Sequence, residues 1–406
     1  MDPRLLEKVM SHVDENFILK VARELIAFKT VNPPGDEEEA ARYVAGLMEA
    51  EGLRTSLQFV KAGRPNAIGE LCAPLGERLP TLLLNGHLDV VPPGDGWRTD
   101  PFEAIVRNGR LYGRGAADMK GGLASILGAV RALARAGAEE AFKGCLRVAA
   151  VVDEERGGTG TRFLLEDPAL KKTSSTKPYM AAVVCEPTNL EVQTCHKGTL
   201  FFSITVYGRS AHGSQPERGI NAIYGMMEVI QALRHLHSEL REKRRHPLLG
   251  TPSLNVGTIH GGTVTNAVPD KCVITVDTRL IPGEKVEDRI AEIEAFLEGV
   301  RKANPQMRFA LDRILSVEPA ETPPEADVVT ALLEAQEYVL GSRKPISGFE
   351  ACCDASSLVN LAKIPTAIFG PGSLQEAHTA NEFVEISQLS AAAKCYAFLA
   401  LRLLTD

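Results

Sequence analysis

Short, wholly apolar runs alternate with amphipathic stretches along much of this chain. The runs TLLLNG (81–86), LRVAAVV (146–152), MAAVVCE (180–186) and TAIFG (366–370) lack the in–out alternation of a strand with one wet face. They predict strands buried on both sides. Helical patterns, notably GGLASILGAVRALARAG (121–137), separate some of them. That alternation predicts an α/β domain with a largely parallel sheet flanked by helices.

The middle of the chain has a different rhythm. Strand patterns at 199–208, 253–261, 271–281 and 307–315 interleave with long helical patterns at 220–243 and 286–303. The order β-α-β-β-α-β is that of a small ferredoxin-like α+β sandwich. A Pro- and Glu-rich stretch, EPAETPPEAD (318–327), follows, and α/β patterning then resumes. The expected organisation is a domain of residues 1–192 and 316–406, interrupted by an inserted domain of residues 193–315.

Bulk properties narrow the function. A length of 406 residues exceeds one ordinary core. A net charge of −7 argues against nucleic acid as a partner, since phosphate binding needs a basic surface. The basic run REKRRH (241–246) reads as a solvated helix C-terminus. No run reaches membrane-spanning length and the N-terminus lacks a signal-peptide core, so a cytoplasmic protein without a membrane partner is expected. The eight cysteines are dispersed, contain no C-x-x-C, and read as reduced.

The chemistry lies where the apolar runs stop. NGHLD (85–89), VVDEE (151–155), VVCEPT (183–188) and the EAHTANEF segment (376–383) each place acids or imidazoles just beyond a strand, and Asp118 precedes the helix at 121. Singly, these are ordinary turn pairs or surface residues. Together they matter, because ligand sites of open α/β sheets lie beyond the carboxyl ends of the strands. Two imidazoles and several carboxylates without thiolate suit zinc, cobalt or manganese. So many acids in one crevice call for compensating charge, most simply a pair of divalent ions.

The motifs G-H-L-D-V-V-P, G-R-G-x-x-D-M-K-G-G, D-E-E, E-P-T and A-H-T-x-N-E, in this order, resemble a known family. It is the zinc-dependent peptidase–deacylase family of acetylornithine deacetylase, succinyl-diaminopimelate desuccinylase, aminoacylase and glutamate carboxypeptidase. The resemblance covers nearly the whole chain. It implies that Asp118 bridges two metal ions, with His87 and Glu186 completing one site and Glu155 and His378 the other. It also implies that Asp89 orients the His87 ring, that Glu154 is the general base, and that a cis peptide follows Asp118.

In GRSAHGSQPERGINAI (208–223), His212 alone would read as a turn histidine. The resemblance instead implies an oxyanion-stabilising group reaching the neighbouring subunit's site, hence a homodimer through the inserted domain. Asn266 and Arg279 match substrate-binding positions of the family, and a guanidinium suits an amino-acid carboxylate. The expected function is hydrolysis of N-acyl amino acids. A dipeptidase or carboxypeptidase of the same family is the alternative. A non-catalytic metal- or ligand-binding protein on this fold would require a missing ligand or base, and none is missing. GRGAAD (113–118) fails as a dinucleotide turn because an Asp stands where the third glycine belongs.

Overall fold

A computed structural model describes residues 1–73, 80–166 and 179–405. The chain forms two compact units: Met1–Thr194 with Glu321–Phe349 and Cys353–Asp406, and Cys195–Ala320 with Glu350–Cys352. Glu350–Cys352 thus group with the second unit rather than with the segments that flank them.

The first unit is built on a nine-stranded sheet. Its centre runs Cys145–Val151, Thr81–His87, Tyr179–Val184, Thr366–Ile368, and these four strands are parallel. Arg54–Lys61 and Arg64–Cys72 continue it antiparallel on one margin, and Gln193–His196 pairs antiparallel on the other. Every residue of Thr81–His87 is buried, as an uninterrupted apolar run requires. Because the four central strands are parallel, their carboxyl ends meet at one edge of the sheet.

Helix Lys120–Ala136 is almost wholly buried and packs against the C-terminal helix Ile386–Leu404. It ends at Gly137, whose φ of 67° is the left-handed C-cap conformation that glycine adopts without cost. At its start, a Cβ on Gly122 would lie 2.4 Å from the carbonyl oxygen of Cys185. Glycine there lets the helix sit directly against the segment leading into Glu186.

One expectation is corrected. Cys72 and Cys145 form a disulfide. The two stand opposite each other in the register of Arg64–Cys72 with Cys145–Val151. A separation of 73 residues in sequence hides this proximity.

The second unit has a four-stranded antiparallel sheet in the order Ser253–Gly261, Lys271–Leu280, Gly198–Tyr207, Arg308–Val317. Helices Ala222–Lys243 and Val286–Ala303 complete the β-α-β-β-α-β order of a ferredoxin-like sandwich. Leu200, Phe202, Ile204 and Val206, at strand period two, pack with Met226, Val229 and Leu233, at helical spacing. Each such side chain contributes about 1.5–3 kcal/mol by leaving water. The basic run is also not simply solvated: Arg244, which caps the first helix, is ion-paired to Glu284 and Glu292. Among the described residues, no helix is long and apolar enough to cross a membrane.

Candidate metal centre

The sheet edge gathers the acids and imidazoles of the first unit. His87 ends strand Thr81–His87, and Asp89 follows two residues later. Glu154 and Glu155 open the short 3-10 turn after Cys145–Val151, and Glu186 lies two residues beyond Tyr179–Val184. Asp118 lies two residues before helix Lys120–Ala136 and is joined to Met119 by a cis peptide. His378 lies on the loop before strand Phe383–Glu385.

Two triads result, His87–Asp118–Glu186 and Asp118–Glu155–His378, each with its ligand atoms within 4.8 Å of one another. Asp118 belongs to both and turns a different oxygen to each. Its Oδ1 lies 3.0 Å from His87 Nε2, and its Oδ2 lies 3.4 Å from His378 Nε2. Glu155 Oε2 is 3.2 Å from His378 Nε2, and Glu186 Oε1 is 3.9 Å from His87 Nε2. Glu154 stands beside them, with Oε2 4.0 Å from His87 Nε2, and belongs to neither triad.

The electrostatics follow from crowding. Burial pushes the carboxyl groups of Glu154 and Glu186 well above the usual range, and neighbouring carboxylates add to the effect. Burial also raises Glu155, reinforced by Asp118. Burial would raise Asp118 too, but hydrogen bonds with His378 and His87 bring it below the ordinary carboxylate range. Hydrogen bonds to Asp118 and then Glu155 push His378 up to about 10. For His87, burial works against the charged form, yet Asp118 holds the ring well above its ordinary value. Buried acids competing for the same few protons are the environment that a divalent cation relieves. Nitrogen and oxygen donors without thiolate suit zinc-like ions, so the residues fit the implied metal.

The role expected of Asp89 differs in detail. The nearer partner of His87 Nδ1 is the Asp89 carbonyl oxygen at 2.9 Å, whereas the carboxylate lies 3.7 Å away. A ring N–H donating to that carbonyl leaves Nε2 available to the triad. The carboxylate instead accepts the backbone N–H groups of Glu154 and Glu155 at 3.1 and 3.2 Å. It therefore clamps both residues of the dipeptide from behind.

Several further residues support the site. Asn32 donates to Asp89 at 2.8 Å and to Asp153 at 3.0 Å. Asp153, in the left-handed region at φ 66°, also accepts from Arg64 at 2.9 Å, and Arg64 makes a two-pronged pair with Glu37. The three acids of D-E-E thus have different environments: Asp153 turns into the scaffold while Glu154 and Glu155 face the triads. Asp354, raised to about 6 by burial, accepts from Thr161 at 2.7 Å, and Thr161 in turn accepts from Asn85. The polar Asn85 within an apolar strand was a visible signal; buried Arg64 offered none.

His212, Asn266 and Arg279 belong to the second unit. Gly213 N–H donates to the Asn266 carbonyl at 2.7 Å, which draws the His212 and Asn266 loops together. Ser214 N–H approaches His212 Nδ1 at 3.2 Å. An amide can only donate, so this contact favours a tautomer whose N–H is on Nε2. Arg279, on strand Lys271–Leu280, is held by Asp277 at 2.9 Å and by the Thr199 hydroxyl at 2.7 Å.

The chain is 31% identical over 416 residues to N-formyl-4-amino-5-aminomethyl-2-methylpyrimidine deformylase of Halalkalibacterium halodurans, covering 95% of this chain and 94% of that protein. It is 33% identical over 376 residues to acetylornithine deacetylase of Pectobacterium carotovorum, covering 90% and 92%. The fold matches an M20-family metallo-carboxypeptidase from Sulfolobus solfataricus with a TM-score of 0.77 at 20% identity, covering 95% of this chain and 98% of that one. Residues 83–402 match the family model, and the chain belongs to peptidase family M20/M25/M40, a family of metal-dependent hydrolases of amide bonds.

Proposed function

We propose that this protein removes small acyl groups from amines, foremost N-acyl amino acids, at a centre of two divalent ions, with zinc the first candidate. The carrying observation is that Asp118 offers one carboxylate oxygen to each of two ligand triads. In this reading Asp118 bridges, His87 and Glu186 complete one site, and Glu155 and His378 complete the other. When bound, such ions lower the pKa of a coordinated water and polarise the scissile carbonyl.

The chain's own residues do the rest. Glu154, clamped through its amide by Asp89, takes the proton of the attacking water and passes it to the departing amine. His212, with its proton on Nε2, donates to the oxyanion that forms at the carbonyl. Arg279 binds the substrate carboxylate, pre-oriented by Asp277 and Thr199, and Asn266 holds the substrate beside it. The relatives' names support the substrate class, because a deformylase and a deacetylase both release a small acyl group from an amine.

Metal analysis joined to a panel of formylated, acetylated and succinylated amines and dipeptides tests this proposal. About two ions per chain and chelator-sensitive release of amine from acyl substrates are expected. A preference for dipeptides would redirect the substrate assignment, and a chain that hydrolyses these amides without metal would sink the reading.

The same proposal includes a homodimer through the second unit. Strand Ser253–Gly261 lies at the edge of its sheet, and Ile259, Val264, Tyr224 and Met227 nearby are each more than half exposed. An unpaired strand edge beside exposed apolar side chains suits a second copy of the same surface. Sedimentation at micromolar concentration should give twice the chain mass; a stable monomer refutes it.

A further inference from the structure

Glu382 is completely buried and is not among the triad ligands, yet its carboxylate is fully engaged. Oε1 accepts the backbone N–H groups of Ala117 and Asp118 at 2.8 and 3.0 Å. Oε2 accepts the N–H of Gly115 at 3.1 Å and is ion-paired to Arg114, itself 1% exposed. Four acceptor positions meet four donors, the full capacity of a carboxylate. Three of those donors are backbone amides of the segment that carries Asp118, including the amide of Asp118 itself.

Glu382 also lies four residues beyond His378. Its carbonyl oxygen accepts the N–H of Gly113 at 3.0 Å, and its neighbour Asn381 accepts the N–H of Arg98 at 2.9 Å. Strand Phe383–Glu385 then pairs in register with Arg110–Tyr112. The segment that presents His378 is thereby fastened, at Glu382, to the segment that presents Asp118. An ion pair serving stability alone would need only Arg114.

We infer that Glu382 is a positioning residue, a non-liganding carboxylate that locks the Asp118 and His378 segments together and so assembles the Asp118–Glu155–His378 triad for its cation. The inference rests on the dinuclear reading above. Glutamine in its place has nearly the same shape but only one acceptor oxygen. Whichever way the amide turned, its NH2 group would face Arg114 and the Gly115 amide, or the amides of Ala117 and Asp118.

The test is an equilibrium titration of the metal-free protein with Zn2+ against a chromophoric chelator, on wild type, Glu382→Gln and Glu382→Asp. In the glutamine variant, one of two zinc affinities should fall about 10- to 100-fold, the usual effect of losing a partner that orients metal ligands. Turnover at limiting zinc should fall in parallel, with KM unchanged, and excess zinc should restore most of it. Two zinc affinities within about threefold of wild type would overturn the inference, whatever the change in melting temperature. Should Glu382→Gln not fold, Glu382→Asp, which keeps the charge but shortens the reach, decides by the same comparison. A wild type that binds one zinc ion would overturn the dinuclear reading instead; the inference is then judged on that ion, whose affinity must still fall in the variant.

Discussion

The functional groups of the two units are built in contrasting ways. In the first unit, Asp118, His87 and Glu186 are buried and tied to one another, and Asp89 fixes the Glu154–Glu155 dipeptide through backbone amides. In the second unit, His212 is exposed on a loop and Arg279 is a quarter exposed on a sheet. Each has one or two polar partners, and those partners set a tautomer or an orientation. The difference is one of freedom. Strand ends and buried acceptors hold the first unit's groups in fixed positions. Groups with few and partly exposed partners can still exchange them when a ligand arrives.

This contrast can be broken most severely at Glu154. Glu154→Gln should lower kcat by about 10²- to 10⁴-fold while leaving metal content unchanged, measured by steady-state kinetics beside elemental analysis. Near-normal turnover would remove Glu154 from the mechanism. His212→Ala comes next, with an expected loss of about 10²- to 10³-fold in kcat, the size of a missing oxyanion donor. Mixing that variant with Glu154→Gln under conditions of subunit exchange should recover activity that neither has alone. No recovery would mean that His212 serves its own chain. The smallest effect is expected at Arg279→Ala, where KM should rise about 10- to 100-fold for substrates with a free carboxylate and kcat should change little, since a charge-assisted hydrogen bond contributes about 1.5–3 kcal/mol. An unchanged KM would show that this arginine serves only Asp277 and Thr199.

Much of the candidate site is legible in the sequence because its acids and imidazoles interrupt strong local patterns. An apolar strand that stops at His87, or at Cys185-Glu186, marks its own carboxyl end, and a parallel sheet brings such ends to one edge. The β-α-β-β-α-β order of the second unit was legible for the same reason. Less legible were contacts set by register or by single side chains. The Cys72–Cys145 pair follows from which residues stand opposite each other across two strands. Arg64, in a strand of mixed composition, carries no mark of its inward turn toward Glu37 and Asp153.

The sequence by itself determined the donor types, their order and their positions at strand ends, since hydrophobic periodicity and turn chemistry act over a few residues. Only the tertiary structure decided that Asp118 shares its two oxygens between two triads, that the Asp89 carboxylate clamps amides rather than an imidazole, and that Glu382 ties two distant loops together. Those assignments depend on the directions of individual lone pairs and N–H bonds. Such directions are fixed only when segments distant in sequence are packed against one another.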